Sequence, residues 1–445
     1  MRSRPRLLSD VTPLRESRQY RLLYVGELLA FFGSQITVVA VPLQVYLLTH
    51  SSLAVGLVGL AQLGPLLACS LVGGALVDAV DRRLLLIWVQ LVRGALSAGL
   101  VVNALRPHPA IWPLYVLTAA TAGLQAIDAP ARNAAIPALV RRDLLPAAAA
   151  LHQIVMQVGT VAGPALAGLI VARAGIGAAY GIDVTTFTLA SLLALALQPL
   201  PPGRGATRAG VGSVREGFRF LRGRRALQGT FVIDLNAMIF GMPRALFPAL
   251  GTGLFHGGPG TVGLLYAAPG AGALVGALTA GWVGAVRRQG RAVLLAVTVW
   301  GAAITVFGLV SWLPLALFML ALAGAADVVS AVFRNAILQL TTPDGLRGRL
   351  SAIHIAVVTG GPRLGDAEAG AVAAVAGPRF SVVSGGLACL AGVALIAWRL
   401  PELGRTVMER PAPDGRSQEV DGHLADGTAQ AGSSPGSPEP SPERG

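Results

Sequence analysis

Several ionisable side chains interrupt runs that are otherwise apolar: Glu27, Asp128, Arg132, Asp234, Arg244, Asp327 and Arg334, with the amide of Gln35 in the same setting. A carboxyl among apolar residues can take up and release a proton, a guanidinium can hold an anion, and the two can pair. An ionisable group at bilayer depth is a functional hypothesis by default. Helical spacing sorts them. Asp128 and Arg132 stand four residues apart and can pair along one helix. Asp327, Ser330 and Arg334 share a face, as do Glu27 and Ser34 with Gln35 close by, whereas Asn236 points away from Asp234. His152 and His354 can titrate near neutral pH, and spacing leaves their roles open between coupling and structure. No His, Asp and Glu set has metal-ligand spacing, and no G-x-S-x-G nucleophile motif occurs. A G-x-x-x-x-G-K-S/T loop is impossible because the chain has no lysine. The expectation is a protein without metal or cofactor that is not an enzyme.

These residues recur. Glu27, Gly56 and Gly74 return as Asp234, Gly263 and Gly281, each 207 residues later (234 − 27, 263 − 56, 281 − 74). Arg132, His152 and Gly168 return as Arg334, His354 and Gly370, each 202 residues later (334 − 132, 354 − 152, 370 − 168). A unit spanning most of half the chain is duplicated, a common construction for membrane carriers.

The elements that must position them are membrane helices. The 445 residues are 53% hydrophobic and 13% charged, with mean hydropathy +0.64, which leaves too little polar surface for a soluble protein of this length. Crossing ~30 Å of hydrocarbon takes about 20 apolar residues, and about twelve such runs can be marked. The net charge of +13 is carried by arginine alone. Arginines crowd every second loop, at Arg2 to Arg21, Arg82-Arg83, Arg141-Arg142, Arg204 to Arg225, Arg287 to Arg291 and Arg347-Arg349. That alternation places both termini and the central loop in the cytoplasm and accounts for the charge without nucleic acid. Cys69 and Cys389 fall inside apolar runs and read as small buried hydrophobes. The first run, Leu22 to Leu48, is too long for a signal-peptide core and reads as a retained helix. The lack of lysine beside abundant Ala, Gly and Arg suits a GC-rich bacterial coding sequence.

The expected organisation is a cytoplasmic N-terminal segment 1–19, a six-helix bundle 20–198, a cytoplasmic linker 199–226, a second six-helix bundle 227–400 and a disordered cytoplasmic tail 401–445. Pro199 to Gly212 cannot span. Ser213 to Gln228 puts Val214, Phe218 and Leu221 opposite Arg215, Arg219, Arg222 and Arg225, which suits either an amphipathic helix on the inner leaflet or a solvated linker. The tail, rich in Pro, Ser, Gly and acids, lacks the apolar residues to offset ordering.

The loop Gly74-Ala-Leu-Val-Asp78-Ala-Val-Asp81-Arg82-Arg83 resembles the G-x-L-x-D-x-x-G-R-R signature of the major facilitator superfamily, with Asp81 in place of glycine. The resemblance implies that Asp78, Arg82 and Arg83 clip the two halves together in the outward-facing state, with Gly74 allowing close helix packing. The second-half counterpart has Ala285 in place of the acid, so the clip is expected to be asymmetric. Gly159, Gly163, Pro164 and Gly168 look like the helix-five motif of superfamily exporters, where small residues permit close approach and proline permits bending. Helix eight, through Gly272, Gly276 and Ala280, is the expected facing surface. The antiporter arginine in helix four, near Thr121, is absent. The stretches Ala129 to Pro137, Gly163 to Gly168, Asp234 to Pro243 and Gly360 to Asp366 resemble the enterobactin-exporter-like branch.

This resemblance implies an all-α membrane protein of twelve transmembrane helices in two pseudo-symmetric six-helix bundles, with helices one, four, seven and ten lining a central cavity. On that basis Glu27, Gln35, Asp234, Arg244 and Asp327 are candidates for substrate or proton coupling. At ~1.5 Å per residue Glu27 and Asp234 lie only about 10 Å from the cytoplasmic ends, and Asp128, Arg132 and Arg334 are shallower. These last three are candidates for an inner gate, and gating and binding stand as equal alternatives for the whole group. Arg93, Asp183, Arg363, Asp366 and Glu368 fall on other or rim helices and are expected to form structural pairs. The functional expectation is a monomeric, proton-coupled exporter of a small organic cargo in the bacterial cytoplasmic membrane. An importer or a non-transporting sensor is the alternative.

The alternating arginines predict that positions 82, 208 and 347 are cytoplasmic and 108, 256 and 378 external. Single cysteines at these positions, in a Cys69→Ser, Cys389→Ser background, report this through an impermeant thiol reagent. Labelling at 208 in intact cells, or at neither 108 nor 256, refutes the map.

Overall fold

The computed structural model describes residues 10–201, 219–342 and 344–406; the side chain of Asp78 lies outside the described residues, as do most of the central linker and residues 407–445. Apolar runs become helices because hydrocarbon offers backbone amides and carbonyls no partner outside their own segment. A short α1 (Thr12–Glu16) precedes α2 (Arg18–Thr49), α3 (Ser52–Ala79), α4 (Arg82–Ala104), α5 (Trp112–Leu139) and α6 (Leu145–Leu195). The second half holds α7 (Arg225–Phe240), α8 (Pro259–Leu278), α9 (Gln289–Leu309), α10 (Leu313–Thr341), α11 (Asp344–Ala376), α12 (Pro378–Arg399) and a short α13 (Pro401–Arg405).

At 51 residues α6 is too long for one crossing, and Gly175, with φ 81° and ψ 172°, divides it into two arms. The positive φ is open to glycine at little cost, which explains the residue at this turn. Among the described residues nine helices are long and apolar enough to cross a membrane, and no strand is present. The expected count of twelve requires both arms of α6 and the more polar α5 and α11 to cross as well.

Packing follows the duplication. In the first half α2 packs on α6, α3 on α5, and α4 on both α5 and α6. In the second α7 packs on α11, α8 on α10, and α9 on α10 and α12. The second half closes one apolar core from Leu221 to Leu403, and the first half builds its own around Ile36, Leu100 and Tyr180 and around Leu23, Leu86 and Ala135. Ala245 and Val262 of the second half join the first-half core, and residues up to Thr406 form one compact unit.

The halves meet along α3 on α11 and α6 on α8. Each junction is a glycine crossing, and the two are repeat-equivalent. A Cβ on Gly263 would lie 2.7 Å from Cα of Gly168 and 2.6 Å from the Pro164 carbonyl; one on Gly370 would lie 3.2 Å from Cα of Gly56 and 2.6 Å from the Ser52 carbonyl. Only glycine allows this approach, and apolar lipid offers no alternative glue. Both crossings sit toward the ends of these helices remote from the arginine-rich loops.

Three expectations change. Helix eight does face the helix-five motif, but through Gly263 and Gly270; Gly272 and Gly276 abut Ala321 and Ala325 of α10 instead. Gly159 and Gly163 lie against Phe31 and Gln35 of α2, so within the motif only Pro164 and Gly168 reach across to α8. Residues 401–406 are not tail: Leu403 is buried against Gly229 and Gly290, and Glu402 accepts from Arg225 at 3.1 Å. At the linker's start, Leu200 is buried and hydrogen-bonded to Asp81.

Gly263→Ala forces backbone apart and should cost about 1–3 kcal/mol, as overpacking does. Gly253→Ala, with open space around its Cβ, serves as the control. A lower thermal unfolding midpoint for the first and an unchanged one for the second is expected of the purified proteins; equal midpoints contradict the crossing.

Candidate functional site

In the first half one carboxylate gathers partners from two other helices. Glu27 of α2 meets Nδ1 of His152 on α6 at 2.8 Å and Nε of Arg132 on α5 at 3.8 Å. Arg132 is doubly held, since its Nη2 also donates to Asp128 at 3.0 and 3.2 Å, the i,i+4 pair that the spacing predicts. Gln90 donates to the same carboxylate at 3.2 Å, and Arg93 approaches it to 3.9 Å. Arg93 donates to Ser34 at 2.8 Å and stacks over the Phe187 ring at 4.4 Å. Glu27, Asp128, Arg132 and Arg93 are all buried, so the pairing is obligatory: an unmatched charge there is expensive.

The second half repeats the motif in reduced form. Asp234 of α7 pairs with Arg334 of α10 at 2.9 Å, so repeat-related acids meet repeat-related arginines. Arg334 also donates to Ser330 at 3.1 Å and lies 3.8 Å from Asp327, as their shared face requires. Ser330 stands where the first half has Asp128, and Trp300 where it has Arg93 (330 − 128 = 202, 300 − 93 = 207). Trp300 donates to the carbonyl of Gly241, the counterpart of Ser34, at 2.8 Å. Both halves thus tie the same two helices at the same register with different chemistry. His354 stands edge-on to Phe231 at 6.2 Å, whereas its counterpart bonds Glu27. Asp234 has one methylene fewer than Glu27 with which to reach.

Two adjoining cavities border these groups. One of about 620 Å³ is lined by Glu27, Asp128, Arg132, Asn133 and His152. The other, about 1070 Å³, lies between the halves, with Gln35, Arg93 and Asp183 on one side and Arg244, Arg363 and Asp366 on the other. Ser34, Arg93 and Gln125 line both. Asp183 accepts from Thr37 at 2.8 Å and Ser97 at 2.7 Å, and Asp366 accepts from Arg244 at 3.3 Å and the Ala245 amide at 3.2 Å.

The expected coupling set is therefore dispersed. Glu27 faces the smaller cavity, Gln35 and Arg244 the larger one, and Asp234 and Asp327 flank Arg334. The inner-gate residues Asp128, Arg132 and Arg334 pair inside their own halves, and among the described residues no ion pair links the halves. The halves touch at their remote ends, so cross-half pairing near the arginine loops is not formed in this arrangement. Arg93, Asp183, Arg363 and Asp366, expected to be purely structural, line the large cavity; helix assignment alone concealed the faces they occupy.

The described side chains of the signature loop, Asp81, Arg82 and Arg83, also bond within their own half. Arg82 donates to the Ala134 carbonyl at 3.2 Å and Arg83 to the Leu195 carbonyl at 2.6 Å, each near a helix C-terminus. Such carbonyls carry partial negative charge that suits an arginine. Asp81, the departure from the signature, caps α4 by accepting from the Arg83 amide at 2.8 Å and holds the Leu200 amide at 3.1 Å.

The family profile described as transmembrane secretion effector matches residues 8–425. The chain belongs to this family of the major facilitator superfamily. Among curated relatives, the enterobactin exporter EntS of Citrobacter koseri is 30% identical over 408 residues, 92% of this chain and 98% of its own. That of Shigella boydii serotype 18 is 30% identical over 89% of this chain and 95% of its own. Solved structures share the fold: a bacterial homologue of the lysosomal transporter Spinster, inward-facing and unoccupied, has TM-score 0.66 at 15% identity, covering 89% of this chain and 100% of its own. A bacterial homologue of ferroportin, also inward-facing, has TM-score 0.61 at 15% identity, covering 87% and 98%. The chain is a membrane transporter of the major facilitator fold.

Asp234 is almost fully enclosed with Arg334. Arg334→Gln strands that carboxylate and should destabilise by about 3–5 kcal/mol, the range for breaking a buried pair. Adding Asp234→Asn should restore much of the loss. Thermal unfolding of the purified variants checks this; a double variant no better than the single one contradicts the pairing.

Proposed function

We propose that the protein is a secondary active exporter, driven by proton entry, that moves a small organic molecule such as a siderophore, drug or other secondary metabolite out of the cell by alternating access. The named function of the relatives supports export, and enterobactin is the first cargo to try. The observation that carries the coupling is Glu27: a carboxyl on a cavity wall, bonded to a titratable histidine at 2.8 Å and approached by an arginine at 3.8 Å. Protonation removes its charge and frees Arg132 and His152 to take other partners. Deprotonation restores the cluster. A carboxyl that loads a proton when open outward and releases it when open inward links proton flow to the conformational cycle.

The arrangement with halves joined at the glycine crossings is read as the inward-facing one. In it Arg82 and Arg83 are parked on carbonyls of their own half. In the opposite state, with Asp78, they would engage the second half. Twelve spans, bundles at 20–198 and 227–400, cytoplasmic termini, a monomer and a place in the bacterial cytoplasmic membrane complete the proposal. Glu27 is preferred over Asp234 as the coupling acid because Asp234 is enclosed with Arg334.

Inside-out vesicles given a pH gradient and enterobactin decide between the elements. Glu27→Gln should abolish gradient-driven uptake and spare cargo exchange at equal pH. Unchanged gradient-driven uptake in this variant removes Glu27 from coupling, and no uptake by the wild type removes enterobactin as cargo.

A further inference from the structure

The larger cavity carries an imbalance of charge. Three guanidinium groups line it, from Arg93, Arg244 and Arg363, against two carboxylates, from Asp183 and Asp366. Both carboxylates are already engaged. Asp183 accepts from two hydroxyls, Thr37 and Ser97, and Asp366 from Arg244 and the Ala245 amide. Arg93 lies 3.9 Å from Asp128 on its other side, and Arg244 has Asp366. Arg363 is left over: among the described residues no carboxylate lies within ion-pair distance of it, Asp366 acts on it only from farther off, and its hydrogen bond from Nη1 to the Thr359 carbonyl runs along its own helix.

Arg363 also stands where the halves touch. Its backbone presses on Gly59 of α3, where a Cβ would lie 3.2 Å from the Arg363 carbonyl oxygen. The surplus cation therefore lies at the junction between the halves. Its first-half counterpart is Val161 (363 − 202), so duplication supplied no matching charge.

A partly buried guanidinium with no carboxylate in contact is costly unless something else brings negative oxygen to it. Guanidinium presents paired N–H donors that suit carboxylates and similar oxyanions. We propose that the large cavity is the cargo cradle and that it selects molecules bearing an anionic oxygen group, which Arg363 holds. The amides of Gln35, Gln62 and Gln125, which also line the cavity, then serve the neutral hydroxyls and carbonyls of the same molecule. The empty space between these groups, about 1070 Å³ including the part open to solvent, leaves room for a small organic molecule. This rests on the export reading only in calling the ligand cargo; binding itself is independent of direction and coupling.

The test uses two probes of nearly the same shape that differ in charge, 2-hydroxybenzoate and its neutral amide 2-hydroxybenzamide. Purified full-length protein in detergent is titrated with each by calorimetry, up to millimolar concentration. The wild type should prefer the anion by at least about tenfold. Arg363→Gln should bring the two affinities together, Arg363→Lys should keep part of the preference, and Arg287→Gln, in an arginine loop away from the cavity, should keep all of it. Equal affinity of the two probes for the wild type, binding of neither, or an undiminished preference in Arg363→Gln overturns the assignment. The wild-type comparison stands even if the variants fail to fold. Anion preference without gradient-driven export would sink the export reading and leave the cradle. Export with no charge preference would do the reverse.

Discussion

Charge at bilayer depth must be matched, and this requirement organises the interior. Hydrocarbon cannot solvate a carboxylate or a guanidinium, so Glu27 and Asp234 each fix the position of an arginine on another helix. Arg132 and Arg334 are the pivots. Each holds an acid on the first helix of its own half and a residue four places before it on its own helix. Because every such bond lies within a half, each half becomes a rigid body. Rigid halves are what a rocking mechanism needs.

The junction between the halves is built on the opposite principle. The glycine crossings of Gly168 with Gly263 and Gly56 with Gly370 bring backbones together through contact alone. Dispersion contacts at such a crossing separate without stranding a charge, whereas an ion pair there would have to be broken in hydrocarbon. Strong directional bonds inside the halves and weak non-directional ones between them let the interface open while the bundles persist. The crossings lie away from the arginine loops, and the two cavities border the buried charges.

The fold was largely legible in the sequence, and the site only partly so. Composition, span length and arginine alternation pointed to the helices, and the constant offsets of Glu27 and Arg132 to Asp234 and Arg334 exposed the duplication. Spacing along one helix anticipated the Asp128–Arg132 pair and the shared face of Asp327, Ser330 and Arg334. Contacts between helices depend on the rotation of each helix about its own axis, which spacing within one helix does not determine. That is why Arg93, Asp183 and Arg363 looked structural yet line the cavity, and why Gly272 and Gly276 turned out to face α10. Asp81 departs from the signature; its cap on α4 is local, but its hold on Leu200 depends on a chain segment more than a hundred residues away.

Divergence between the halves shows how duplication was put to use. Where the first half has Asp128, Arg93 and a bonded His152, the second has Ser330, Trp300 and a His354 packed against an aromatic ring. The second half keeps one enclosed acid–arginine pair for stability and has replaced much of the remaining polarity. In exchange it places Arg244 opposite the position of Thr37 and Arg363 opposite that of Val161, both on the wall of the shared cavity. A symmetric carrier would present the same groups to its cargo from both sides. Here the Glu27–His152–Arg132 cluster sits in one half and Arg363 in the other, so the proposed proton handling and the proposed anion recognition fall on different bodies. Coupling between them can run through the relative motion of the halves and through Arg93, which approaches Asp128 and also lines the larger cavity.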